Sequence, residues 1–139
     1  MAGNLARIYR IDEVTRMMSN GYGHALDRHG EFRDLRDNGG RPYVPVVDSS
    51  FSNNPSFVAL VAMALNSPAG HQALKQLNNV GDSQVINHTL ATSTIEGEVI
   101  LGALKDLAQP IKVEFTSVRV VVVRIAGNPG IGILTAYPA

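Results

Sequence analysis

The chain changes its hydrophobic rhythm near its middle, and the two rhythms predict two kinds of structure. In the first half, apolar residues recur at helical spacing. Leu5, Ile8, Val14 and Met17 share one helix face, and Asn20-Gly21 closes that segment. A second, polar helix is expected over Gly23–Asp37, with Leu26, Phe32 and Leu35 as its apolar residues and Gly30 as a candidate break. Arg41 to Ser52 reads as an extended connector, because Pro42 and Pro45 block helix. A helix start follows, with Asn54 as cap and Pro55 in the first turn. Phe57, Leu60, Val61, Ala64 and Leu65 then form one apolar face. Ser67-Pro68 repeats the start signal for a shorter helix ending before Gly81.

From Gln84 onward the pattern becomes that of strands. Ile111, Val113 and Phe115 alternate with Lys112, Glu114 and Thr116, as in a half-buried strand. Val118 to Ile125 is apolar on both faces and rich in β-branched residues, which places it centrally in a sheet. Gly127-Asn128-Pro129-Gly130 returns it into Ile131–Pro138 as a hairpin. On that last strand Thr135 and Tyr137 are two apart, so both hydroxyls face the same way. Helices first and strands later indicate an α+β fold, with N-terminal helices packed on a C-terminal antiparallel sheet. A single domain over residues 1–139 is expected, with 1–22 as an N-terminal helical segment and 23–138 as the core.

Composition narrows the chemistry. The 139 residues include no cysteine, which removes disulfides, thiol nucleophiles and cysteine zinc sites. Lys+Arg and Asp+Glu are both 12, so any nucleic-acid contact must come from a local cluster. The longest apolar run, Val120 to Val123, is far too short to span a bilayer, so no stable membrane association is expected. The N-terminus shows no apolar core of signal-peptide length. Of the four histidines, 24, 29, 71 and 88, none sits in a metal-binding motif, and no metal is expected. No phosphate-loop, dinucleotide or Gly-x-Ser-x-Gly pattern is present.

The remaining cluster is Gly23-His-Ala-Leu-Asp-Arg-His-Gly30, where His24 and Arg28 share a helix face and His29 lies one position further round. By itself this reads more readily as a solvated helix face than as a site. Histidine moves protons near neutral pH, and arginine binds phosphate. RNA cleavage without metal needs these groups: a base for the 2′-hydroxyl, an acid for the leaving 5′-oxygen, and support for charge on phosphorus. Tyr137 and Thr135 can donate hydrogen bonds to phosphate oxygens.

The order His-x-x-x-x-His-Gly, Ser49-Ser50-Phe51, the Val-Arg-Val-Val-Val-Val strand and a closing Leu134-Thr-Ala-Tyr-Pro138 resembles the bacterial ribonuclease A-like toxin domain of contact-dependent inhibition proteins and other polymorphic toxins. The resemblance runs from about Gly23 to Pro138. It implies a kidney-shaped α+β domain without disulfides, monomeric when free, that cleaves RNA (tRNA among the candidates) with no cofactor. It also implies secretion within a larger toxin, delivery to the cytoplasm of a target bacterium, and neutralisation by a cognate immunity protein. Carried over by motif, the catalytic residues are His29, Thr135 and Tyr137. The family's arginine falls where this sequence departs from the pattern. Arg41 lies nearer the expected distance from His29 and is favoured as the catalytic arginine, while Arg36, which has the neighbouring leucine, stays open as a catalytic or phosphate-binding residue. Gly30 follows His29 directly, where many relatives have an intervening valine. The second proton-transfer group is His24 or Tyr137.

Two other classes remain. An NAD-consuming or ADP-ribosylating toxin would need a catalytic glutamate from Glu96, Glu98 or Glu114. A non-catalytic binding module would not require the His-Arg segment and the Thr-Tyr pair to converge.

Overall fold

The computed structural model describes residues 5–19, 25–31, 33–38, 40–91, 93–127 and 129–139. Among the described residues, four α-helices, α1 (Ile11–Ser19), α2 (Ala25–His29), α3 (Asn54–Asn66) and α4 (Pro68–Lys75), accompany six strands. The strands are β1 (Val47–Phe51), β2 (Ser83–Thr89), β3 (Ile95–Leu101), β4 (Ile111–Phe115), β5 (Ser117–Arg124) and β6 (Ile131–Pro138). The fold is α+β, but the strands form two antiparallel sheets rather than one. Their orders are β1-β3-β4 and β2-β5-β6. Strand β1 comes from the segment that the prolines mark as a connector, and it pairs with β3 from Val47–Leu101 to Phe51–Gly97.

Helices α1, α3 and α4 cover one face of the β2-β5-β6 sheet. That face carries Ile86, Val118, Val120, Val122 and Ala136, all essentially without solvent contact. The expected apolar face of α3 lies against it, and all five of its residues are buried. Burying such side chains stabilises the fold by about 1.5–3 kcal/mol each. The valine run is central in its sheet, but Arg119 and Val121 of its other face are not buried. Phe51 of β1 stacks 4.3 Å from Phe57 of α3 and meets Phe115 of β4 edge-on, which ties the first sheet to the same core. Strand β4 is an edge strand, and Ile111 is exposed rather than half-buried. Mid-strand Gly97 lets these layers meet, since a Cβ there would lie 2.6 Å from the Phe115 ring.

Local hydrogen bonds explain where the helices differ from expectation. Leu5 and Ile8 precede α1 instead of joining it. The Asn66 side chain binds both the N–H and the carbonyl of Tyr9, groups that a helix would otherwise use. The polar helix stops at His29 instead of running to Asp37. Glu31 N–H donates to Asn54 Oδ1 at 2.9 Å, and a side chain at Gly30 would collide with both that oxygen and the Leu26 carbonyl. The cap of α3 is accordingly Asn53, which accepts from Ser56 N–H, and Asn54 is freed for the α2 turn. Ser67 caps α4 as expected. In the β5–β6 hairpin, Gly127 and Gly130 both take positive φ, and Ile125 N–H closes the turn on the Gly130 carbonyl. Asn128 of that turn and His24 lie outside the described residues.

Candidate active site

The two sheets meet where β1 runs beside β6, and α2 packs across both strands. A cleft of about 320 Å³ opens at this junction. His29, Arg41, Thr135 and Tyr137 all border it, although they come from three different segments: α2, the loop before β1, and β6. Arg28, Tyr43 and Val47 complete much of its wall. Thr135 and Tyr137 pair across the sheet with Val121 and Arg119, so the two hydroxyl side chains do share one face. A bulge beside Thr135 leaves Leu134 out of the ladder without turning that pair away.

His29 ends α2 and is almost fully buried. Its Nδ1 lies 2.5 Å from the Ser49 carbonyl oxygen. A carbonyl can only accept, so Nδ1 carries the proton and Nε2 of the neutral ring is an acceptor. Burial pushes the His29 pKa down from 6.5, and nearby Arg41 and Arg33 push the same way. The Ser49 contact and the Asp48 charge oppose them without reversing the shift. The imidazole is therefore neutral at neutral pH. Its ring centroid lies 5.4 Å from that of Tyr137, in a tilted pair.

The two arginines left open by the sequence occupy different surroundings. Arg36 is about half exposed and pairs with Asp34, and it does not border the cleft. Arg41 is buried, donates from Nε to the Asn38 carbonyl at 2.9 Å, and meets Asp48 Oδ2 at 2.5 Å. Nothing in the residue pattern singles out Asp48. Its Oδ2 also receives Lys105 Nζ at 2.7 Å and lies 3.5 Å from Arg33, while Oδ1 accepts Ser49 N–H. Burial alone would raise the Asp48 pKa, but the Lys105 and Arg41 hydrogen bonds and charges outweigh it and hold the carboxyl below its ordinary value. Lys105 also donates to the Leu35 carbonyl. Three buried cations thus share one carboxylate beside the cleft, which leaves positive charge in excess among these four side chains.

The other candidates lie elsewhere. His71 and His88 do not border the cleft. Glu96 and Glu114 face each other across β3 and β4 and line a separate shallow hollow, while Glu98 borders neither. Among the described residues, no group of three or more His, Asp or Glu side chains is placed to hold a metal ion. Among the described residues, no helix is long and apolar enough to cross a membrane.

No family model matches the chain, and no curated protein matches it. Its fold is similar to one chain of a CdiA-CT/CdiI complex from Y. kristensenii 33638. The TM-score is 0.59 with 21% sequence identity, over 84% of this chain and 99% of that one. At this identity the likeness speaks for the fold alone.

Proposed function

We propose that the chain is a metal-independent endoribonuclease toxin domain of the ribonuclease A-like kind. It cleaves RNA by transesterification to 2′,3′-cyclic phosphate ends, in competition between bacteria. The observation that carries this reading is the convergence of His29, Arg41, Thr135 and Tyr137 on one cleft. The likeness in fold to a chain of a CdiA-CT/CdiI complex supports it, and makes a cognate immunity protein the expected partner. Delivery to the cytoplasm of a target bacterium follows from the same reading.

Each group has a role suited to its surroundings. His29 Nε2 takes the proton of the 2′-hydroxyl as the 2′-oxygen attacks phosphorus. The bond to the 5′-oxygen then breaks, and that oxygen takes a proton from Tyr137 or His24. Arg41 and the excess positive charge around Asp48 stabilise the anionic phosphorane. Thr135 and Tyr137 donate hydrogen bonds to its oxygens. An NAD-consuming reading is weaker, because no candidate glutamate borders the cleft that holds the Arg, Thr and Tyr. A pure binding module would not require the four side chains to converge.

Incubation of the purified protein with total tRNA in EDTA tests the reading: the RNA is cleaved, and intact RNA overturns it. The same assay separates the arginines. Arg41→Ala lowers the rate by about 10²-fold or more, as loss of a transition-state donor does. Arg36→Ala stays within about twofold, since its exposed ion pair lies off the cleft. Equal losses would remove Arg41 from its assigned role. The pH dependence of the rate is a further check. Because burial lowers the His29 pKa, the acid limb of kcat/KM falls below the ordinary histidine value of 6.5, and a limb above that value would contradict a buried neutral base.

A further inference from the structure

Asn87, Arg119 and Tyr137 stand in one row across the β2-β5-β6 sheet. Asn87 is directly opposite Arg119, and Arg119 is directly opposite Tyr137. The guanidinium of Arg119 bridges the row. Its Nε donates to Asn87 Oδ1 at 2.9 Å, and its Nη1 donates to the Tyr137 phenolic oxygen at 3.1 Å. The guanidinium carbon also lies 5.7 Å from the centroid of the Tyr137 ring. Two of the donor directions of the guanidinium are therefore fixed before any substrate arrives.

An arginine has donors and no acceptor. The Tyr137 oxygen can only accept from Arg119, so the phenol cannot spend its own proton on that neighbour. Its O–H is left to donate elsewhere, and Tyr137 borders the cleft with His29. Without Arg119, the hydroxyl could either donate or accept, and substrate would have to select the donating state.

We propose that Arg119, anchored by Asn87, is a positioning residue that sets Tyr137 as a hydrogen-bond donor toward the phosphate of RNA bound in the His29 cleft. This rests on the reading of that cleft as a ribonuclease site. The proposal differs from a direct role in holding RNA, for which an exposed arginine beside the cleft would also serve. It differs equally from a surface contact of no consequence, which is what most exposed pairs amount to.

A double-mutant cycle separates these roles. Cleavage of a defined RNA is measured for wild type, Arg119→Ala, Tyr137→Phe and the double variant, with kcat and KM resolved for each. Arg119→Ala is expected to lower kcat by about tenfold, as a mispositioned donor does, while KM and the melting temperature stay close to wild type. In the Tyr137→Phe background the same change has no further effect, because there is no hydroxyl left to orient. Asn87→Ala gives a smaller loss in the same direction. A full tenfold loss from Arg119→Ala in the Tyr137→Phe background, or a loss confined to KM, overturns the proposal in favour of direct RNA contact. An unchanged kcat overturns it in favour of a surface contact. Wild-type protein that leaves RNA intact overturns the reading of the cleft itself, and this proposal with it.

Discussion

His29→Ala abolishes RNA cleavage while leaving a folded protein. A positioned general base contributes about 10²–10⁴-fold, and no other described histidine borders the cleft to replace it. The loss is in kcat, because the imidazole acts on the 2′-hydroxyl proton more than on substrate affinity. The variant also isolates a stability effect. Folded His29 resists protonation, whereas the unfolded chain takes up a proton near pH 6.5. The contribution of this neutral side chain to stability is complete above that pH and is lost as the pH falls through its lowered folded-state value. The melting temperature of wild type therefore falls on acidification from pH 7 to pH 5, and His29→Ala flattens that fall. A variant that keeps wild-type cleavage removes His29 from catalysis. An unaltered pH profile of stability removes it from the acid response.

Asp48→Ala produces the largest loss of stability. The carboxylate ties the irregular 33–41 segment, through Arg33 and Arg41, to strand β1 on which it sits and, through Lys105, to the turn after β3. Removing it leaves three buried cations without the carboxylate they share. Breaking a buried ion pair from one side costs about 3–5 kcal/mol, enough to lower the melting temperature by roughly 10 °C in a domain of this size. Cleavage falls as well, because Arg41 loses the contact that fixes it at the cleft. Lys105→Met is the informative companion, since it removes one of the competing cations and leaves the Arg41–Asp48 pair in place. It is expected to cost less stability than Asp48→Ala and to retain more activity. Equal stability of wild type and Asp48→Ala in thermal unfolding would show that the cluster does not hold these segments together.

Much of the architecture is legible in the residue pattern because local chemistry and burial agree there. The α3 face, the Ser67 cap of α4 and the glycine turn between β5 and β6 each state one outcome at several levels. Strand β1 is not legible because its sequence, Val-Asp-Ser-Ser-Phe, carries no apolar alternation. It is buried although polar, with Asp48 facing a cation cluster and the Ser49 carbonyl facing His29. The end of α2 is likewise set by a residue far away in sequence, Asn54, which takes the Glu31 N–H. Gly30, directly after the histidine, is what allows that approach.

The candidate site divides in the same way. His29, Thr135 and Tyr137 could be named from motif and strand parity. Distance along the chain favours Arg41 but leaves Arg36 open, because the surroundings of each depend on how an irregular loop packs. Asp48 draws Arg41 inward to the cleft, while Arg36 pairs with Asp34 at the surface. Lys105 reads in sequence as an ordinary lysine near a loop, and Arg119 as a polar interruption of a valine run. Only the pairing of β2, β5 and β6 sets Arg119 between Asn87 and the Tyr137 hydroxyl.

On the proposed function, the cleft between the sheets cuts RNA through a 2′-oxygen attack. The most direct test of this is the chemistry of the ends that the protein leaves on a defined RNA in the presence of EDTA. Fragments ending in 2′,3′-cyclic phosphate are expected from wild type and none from His29→Ala. Intact RNA, cleavage that stops when EDTA is added, or wild-type levels of cyclic ends from His29→Ala would contradict that function.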